Sequence, residues 1–273
     1  DLAFSNVCNN KCRMCGPDLS TQWYSDAKKM SYGFEQRGIL ARNSIIEDYE
    51  LGDLRFIKML GGEPLMEQEK FIKLLKKCNL SKLVILLVTN TTQRPNEELT
   101  ELLKQCKKIT ITFSIDSYGT MNDFLRKGSN WKQVEENVEW YKQTFADYPV
   151  DFNVHSVASI YNINMVEDLI MWCLKNKLYH DYVVVDGPNW IMPRHIPDEI
   201  KQDLIKQLET KAKSYGKNGK VFKLLISELE QPGDFGMFIR NDIKLNDIRG
   251  ETWKDLNPWL WKKIQPYIVP EIL

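Results

Sequence analysis

The segment Cys8-Asn-Asn-Lys-Cys12-Arg-Met-Cys15 places three cysteines within eight residues, directly after the strand-like run Leu2 to Ser5. Iron-sulfur clusters are held by cysteine thiolates, and a closely spaced trio can wrap one cluster. A structural zinc site is closed by four ligands, whereas a catalytic metal keeps one position open. The lack of a local fourth cysteine therefore predicts a metal centre with an open position.

The other three cysteines are scattered along helix-like segments, at Cys78, Cys106 and Cys173. A chain of this size without a secretory signal keeps its thiols reduced. The scattered cysteines are therefore predicted to be small buried residues, and the clustered ones metal ligands. The alternative for the cluster is a zinc knuckle closed by a distant histidine, with His155, His180 and His195 as candidates.

A second motif, Gly61-Gly62-Glu63-Pro64, follows the strand-like run Arg55 to Leu60. Glycine permits unusual dihedral angles and close backbone approach. The backbone carbonyls and the Glu63 carboxylate can accept hydrogen bonds from an ammonium group. The motif therefore predicts a binding loop at the end of the second strand.

Short apolar or β-branched runs alternate with segments that carry apolar residues at helical spacing. The predicted strands are Leu2 to Ser5, Arg55 to Leu60, Leu83 to Thr89, Ile109 to Ile115, Phe152 to Ile160 and Tyr182 to Val185. The predicted helices between them include Glu67 to Cys78, Asn96 to Cys106, Trp131 to Phe145 and Met165 to Asn176. Such alternation requires crossover connections, hence an α/β fold with a parallel sheet.

The pattern changes after Asp186, where Gly187-Pro188-Asn189 marks a loop before the helix-like Pro197 to Ser214. We predict one domain over 1–186 and a small α-rich C-terminal extension over 187–273 that covers it. No cysteine follows Cys173, so a single cluster is predicted. Three tryptophans of the extension are predicted to pack its interior: Trp253, Trp259 and Trp261.

Composition excludes several classes of function. Lys+Arg and Asp+Glu both number 37 in 273 residues, so the chain lacks the positive electrostatic field that attracts nucleic acid or acidic membranes. No apolar run approaches the roughly 18 residues of a membrane span, and no signal pattern is present. These features predict a soluble cytoplasmic protein. The chain opens on Asp1 rather than Met, which is typical of a trimmed fragment.

The cysteine spacing and the GGEP loop together resemble the radical S-adenosylmethionine (SAM) superfamily. The resemblance implies a six-fold (β/α)6 partial TIM-type barrel over 1–186, with a 4Fe-4S cluster on Cys8, Cys12 and Cys15. It also implies that SAM binds the fourth iron and is cleaved reductively to methionine and a 5'-deoxyadenosyl radical, which abstracts hydrogen from a substrate. By the same resemblance, Gly61, Gly62, Glu63 and Pro64 hold the SAM amino group.

Further SAM contacts are implied by resemblance alone. Met14 stands where the family often has an aromatic residue beside the adenine. Thr89 and Asn90 resemble a T-N-G segment in which Thr91 replaces the glycine. In Ser114-Ile-Asp116-Ser117, Ser114 resembles a serine that grips the SAM carboxylate together with Arg126. The remaining expected contacts are Asp116, which could equally cap a turn, and Ser156 and Asn162, which would approach the ribose or adenine.

The resemblance also implies partners. It implies a flavodoxin- or ferredoxin-type electron donor and a peptide or small-molecule substrate, without nucleic acid or membrane. The chain is similar to the SPASM and twitch members of the family, whose extra domains hold auxiliary clusters. The alternative function is a zinc- or iron-sulfur-binding module that never cleaves SAM.

Overall fold

The computed structural model describes residues 1–31 and 50–270. Its strands are Leu2–Ala3 (β1), Lys11–Cys12 (β2), Phe56–Leu60 (β3), Val84–Thr89 (β4), Lys108–Ser114 (β5), Arg126–Lys127 (β6), Val150–Ala158 (β7) and Tyr179–Val184 (β8). Six of them form a parallel sheet in the order β1-β3-β4-β5-β7-β8. The predicted α/β fold with a parallel sheet, a partial TIM-type barrel, is confirmed.

Helices connect the strands and cover one face of the sheet. Those that precede β8 are Tyr24–Met30 (α1), Gln68–Lys76 (α2), Glu97–Lys104 (α3), Thr120–Leu125 (α4), Trp131–Thr144 (α5) and Val166–Lys175 (α6). The Asn96 side chain caps α3 by accepting a hydrogen bond from the backbone N–H of Leu99. The polar helical material expected before the second strand includes α1, and its remainder lies outside the described residues.

The two faces of the sheet differ in what they contact. Phe113 of β5 packs against Tyr141 of α5, with ring centroids 5.5 Å apart. Side chains alternate along a strand, so Ser114 points to the opposite, concave face. The strand register places Ser114 beside His155, and His155 beside Asp181. A row of polar side chains therefore crosses three strands on the concave face, level with the carboxyl end of β5.

Two strand features differ from the sequence prediction. Strand β8 begins at Tyr179, three positions before the predicted Tyr182, because His180 and Asp181 interrupt the apolar run by which strands are recognised. Strands β2 and β6 form a separate antiparallel pair, with Cys12 opposite Arg126. This pair holds the cysteine segment against a part of the chain more than a hundred positions away.

After β8 the chain is helical. The helices are Asp198–Tyr215 (α7), Lys220–Leu229 (α8), Phe235–Arg249 (α9) and Pro258–Ile264 (α10). Trp253 is fully buried and packs on Tyr161 and Trp261, with ring centroids 5.5 and 5.2 Å away. Over the described ranges, no helix has the length and apolar character needed to cross a membrane.

Candidate functional site

The cysteine loop leaves β1 and is fixed by its own backbone and by Trp23, which directly precedes α1. Cys8 and Cys12 are buried, and Cys15 is half-buried. The backbone N–H of Cys15 donates to the Cys12 carbonyl at 3.1 Å, and the indole of Trp23 donates to the same carbonyl at 2.8 Å. The backbone N–H of Asn10 points at the Cys8 sulfur, 3.4 Å away. The three thiols therefore sit on one short, internally bonded loop.

The electrostatics of the thiols reflect their proximity. Burial raises the pKa of Cys8 to about 11. A hydrogen bond to Cys15, reinforced by burial, raises the pKa of Cys12 well above its usual value, and the same bond lowers the pKa of Cys15. A metal group binding here must displace the protons of Cys8 and Cys12, since thiolates are the ligands.

The GGEP loop lies directly on the cysteine loop. Gly62 donates its backbone N–H to the Ser5 carbonyl at 3.1 Å, and Glu63 donates to the Val7 carbonyl at 2.8 Å. Gly61 has φ +128°, and a Cβ added to Gly62 would lie 2.1 Å from the Val7 oxygen. Only glycine permits this approach, so the two motifs form one structural unit.

The Glu63 carboxylate joins this unit to the end of β4. It is 1% exposed and accepts hydrogen bonds from the backbone N–H of Leu65 at 3.1 Å, the Thr89 hydroxyl at 3.0 Å and the backbone N–H of Asn90 at 2.6 Å. Burial raises the pKa of Glu63 to about 7, although these hydrogen bonds and the Arg126 charge act in the opposite direction. Pro64 is buried and begins a short 3-10 turn that Glu63 caps.

Asn90, at the end of β4, contacts the cysteine loop. Its Nδ2 donates to Asn9 at 2.8 Å and lies 3.7 Å from the Cys8 sulfur. Thr91 has φ +67°, the left-handed conformation that favours glycine. The threonine at the glycine position of the T-N-G segment therefore keeps the backbone conformation that a glycine would adopt freely.

Arg126 lies between an acid and a cysteine. Its Nε is 2.6 Å from Asp116 Oδ2, and its Nη1 is 3.8 Å from the Cys12 sulfur. Asp116 is fully buried and accepts a hydrogen bond from the backbone N–H of Val157 at 2.9 Å. Asp116 is thus held as the counter-ion of Arg126 and as a link between β5 and β7.

The other expected contacts lie in different surroundings. Ser114 ends β5 on the concave face, and Met14 is half-buried against the core. The Ser156 hydroxyl lies on the helix-covered face, where it donates to the Ile115 carbonyl at 2.5 Å and lies 2.9 Å from His180. Asn162 is buried and donates to the Asp116 carbonyl at 2.6 Å. Ser156 and Asn162 are therefore engaged in bonds that hold the strand ends together.

Each candidate histidine for a zinc knuckle has another partner. His155 lies 3.2 Å from Asp181, His180 contacts Ser156, and His195 accepts a hydrogen bond from a backbone N–H at 2.8 Å. Among residues 1–31 and 50–270, no three His, Cys, Asp or Glu side chains are arranged to share one metal ion. In an iron-sulfur cluster the cysteines bind separate irons. Whether the loop can hold a cluster therefore depends on the spacing and burial of its thiols.

Several polar residues at this end of the barrel were not predicted. The Asn10 amide and the Ser117 hydroxyl are buried without a hydrogen-bond partner within the described part of the chain. Such groups are costly to bury unless something pairs with them, so they are available to a bound polar molecule. Arg13, between two of the cysteines, is also fully buried. Its position inside the motif was the only signal that could have identified it.

A sequence model of the Radical SAM superfamily matches residues 2–172 of this chain. Two solved structures of anSMEcpe superimpose on it: native anSMEcpe with bound AdoMet, at TM-score 0.55 and 20% identity, and native anSMEcpe with bound AdoMet and Kp18Cys peptide, at 0.54 and 18%. The first match covers 79% of this chain and 60% of anSMEcpe, the second 80% and 61%. This chain therefore spans about three fifths of that protein's length.

Streptococcus suis SuiB bound to S-adenosylmethionine matches at TM-score 0.45 and 17% identity, over 70% of this chain and 41% of SuiB. No curated protein matches the sequence. At 18–20% identity, the two anSMEcpe structures indicate a shared fold.

Proposed function

The chain belongs to the radical SAM superfamily of enzymes, and from this premise we propose that it binds a 4Fe-4S cluster through Cys8, Cys12 and Cys15 and cleaves SAM reductively. When bound, the cluster supplies the electron that breaks the carbon-sulfur bond of SAM, which yields methionine and a 5'-deoxyadenosyl radical able to remove hydrogen from a substrate. A flavodoxin- or ferredoxin-type protein is the proposed electron donor.

One observation carries the proposal. The cysteine loop and the GGEP loop are bonded directly, through Gly62 N–H to Ser5 and Glu63 N–H to Val7. Motifs 46 positions apart, counted from Cys15 to Gly61, thus form a single site at the carboxyl ends of the strands. Ligands of parallel α/β sheets and barrels bind at this end.

The chain's own residues provide complementary charge for an amino acid moiety. Glu63 offers a carboxylate acceptor to an ammonium group, and Arg126 offers a guanidinium to a carboxylate. Asp116 orients the Arg126 guanidinium, because the ion pair fixes its Nε at 2.6 Å. Asn10 and Ser117 supply buried polar groups with free hydrogen-bonding capacity. We propose that these residues, with Ser114, contact SAM.

We propose a peptide as substrate. The support is the superposition on the anSMEcpe structure with bound peptide, at TM-score 0.54. The polar row of Ser114, His155 and Asp181 on the concave face can hydrogen-bond a peptide backbone or polar side chain. We also propose the division at residue 187, with the helical part closing the barrel on which the substrate would bind.

The test compares two triple variants after anaerobic reconstitution with iron and sulfide. Cys8, Cys12 and Cys15 are replaced by Ala in the first variant, and Cys78, Cys106 and Cys173 in the control. With dithionite and SAM, we expect the control to retain its cluster and form 5'-deoxyadenosine, measured by chromatography. The first variant should lose both. Undiminished 5'-deoxyadenosine in the first variant, or wild-type protein that binds zinc in place of iron and sulfide, would contradict the proposal.

A further inference from the structure

Arg13 stands between Cys12 and Cys15, and its side chain is fully buried. Its guanidinium lies over the Phe124 ring, 3.8 Å from the ring centroid, and 5.2 Å from the centroid of Tyr161. The backbone N–H of Arg13 donates to the Leu125 carbonyl at 2.7 Å. A buried cation is costly unless it is paired and hydrogen-bonded, so its partners must be strong.

Those partners come from the far end of the chain. Arg13 Nη2 donates to Asn246 at 2.5 Å and to Glu251 at 2.6 Å, while Nη1 lies 3.5 Å from Asp242. Asp242 and Asn246 belong to α9, and Glu251 follows directly after it. Arg13 lies between the proposed ligands Cys12 and Cys15, and it is therefore held by a helix more than 220 positions away along the chain.

Asp242, like Arg13, is buried and hydrogen-bonded to its surroundings. It is 1% exposed and accepts hydrogen bonds from the Tyr161 hydroxyl at 2.7 Å and the Trp253 indole at 2.9 Å. Burial raises its pKa, and the Arg13 charge is the largest influence that opposes the rise. Removing Arg13 alone would leave this carboxylate without its cation.

Cations on both sides of the loop reach the same end of α9. Lys127 of β6 donates to Glu251 at 2.7 Å and to the Arg249 carbonyl at 3.0 Å. Arg249 in turn donates to Asp26 of α1 at 2.8 Å, and Lys11 of β2 donates to the same carboxylate at 3.0 Å. The cysteine loop is thus clamped by a buried network of opposite charges, anchored in the helical region.

We infer that Arg13 is a positioning residue through which the C-terminal helical region sets the geometry of the cysteine loop; the inference rests on the proposed function. The hydrogen bonds to Asn246 and Glu251 fix the Cys12–Cys15 segment from outside the barrel.

A double variant separates the effect of Arg13 on the cysteine loop from its effect on the stability of the protein. Arg13→Gln alone leaves Asp242 buried without its cation and will lower the melting temperature of the apoprotein. Arg13→Met combined with Asp242→Asn removes both charges and should restore most of that loss. In the double variant we still expect iron to be released to a chelator about 10- to 100-fold faster, because losing an outer-shell partner typically costs a metal site that factor in affinity.

Two further variants act as controls. Arg13→Lys keeps the charge and loses the forked hydrogen bonds, so iron release should accelerate in this variant too. Arg194→Gln breaks an ion pair within the helical region, where Arg194 Nε lies 2.6 Å from Glu228. It should lower the melting temperature and leave iron release unchanged.

Wild-type iron release in the double variant would overturn the inference, as would equal cluster loss in Arg194→Gln. Failure of the proposed function is distinguishable, because wild-type protein would then incorporate no iron and sulfide at all, and the inference would fall with it.

Discussion

Two regions hold the cysteine loop, and they do so by different physical means. The loops at the ends of β3 and β4 contact it through backbone hydrogen bonds and neutral side chains, as with Gly62 on Ser5 and Asn90 on Asn9. The C-terminal helical region contacts it through buried charges centred on Arg13. The first kind of contact requires particular residues in a short motif and is readable from sequence. The second requires only complementary partners and leaves no local signature.

The largest expected effect tests the backbone contact. In Gly62→Ala the added Cβ would lie 2.1 Å from the Val7 oxygen and 2.6 Å from its carbonyl carbon. Backbone on both sides must move, so we expect a loss of about 3 kcal/mol or more in the free energy of unfolding. Urea unfolding of the apoprotein measures it, and reconstituted iron content should fall as well.

Gly16→Ala is the matched control, because Gly16 lies in the same loop, just after Cys15. Within the part of the chain that the structure describes, no heavy atom outside its chain neighbours lies within 4 Å of the Cβ that the substitution would add there, and its φ is ordinary. We expect a change within about 0.5 kcal/mol. Equal losses in the two variants would mean that close approach is not what fixes the GGEP loop on the cysteine loop.

An intermediate effect tests the charged contact. Trp253→Phe keeps an aromatic ring in the edge-to-face contacts of Trp253 and removes the indole N–H that donates to Asp242 at 2.9 Å. Losing one donor to a buried carboxylate should cost about 1–3 kcal/mol, measured by urea unfolding.

Trp259→Phe provides the comparison, since Trp259 is only partly buried and has Lys263 over its ring at 5.2 Å. We expect a change within about 0.5 kcal/mol. If both tryptophan variants lost the same stability, the region would be held by packing and the buried charge network would be unimportant.

The same difference explains how much the sequence could predict. The sheet was predictable because apolar runs and helical periods alternate, and the proposed ligand loop because its cysteines are adjacent in sequence. The β2–β6 pair was missed because it has two residues per strand and mostly charged side chains. Arg13 was missed because its acidic partners, Asp242 and Glu251, lie more than 220 positions away. Ser156 was expected near SAM, yet it faces the helices; the alternation of apolar and polar residues from Phe152 to His155 along β7 was the signal that could have assigned its face.

The smallest expected effect concerns Thr91, which sits at φ +67° where a glycine would be unstrained. The left-handed conformation costs a non-glycine residue about 1–2 kcal/mol. Thr91→Gly relieves that cost, but glycine loses about 0.5–1 kcal/mol more backbone entropy on folding. The substitution also removes a buried methyl group worth about 0.8 kcal/mol and a hydroxyl that donates a long hydrogen bond, 3.4 Å, to the Thr89 carbonyl. These contributions nearly cancel, so we expect the free energy of unfolding of Thr91→Gly to lie within about 1 kcal/mol of the wild-type value.

Thr92→Gly is the control. It gains no such relief and loses the hydroxyl bonded to Asn9 and Asn90 at 2.7 Å, so it should cost about 2 kcal/mol. Equal losses would show that the backbone at Thr91 is unstrained, and that the motif tolerates threonine for a reason other than its conformation.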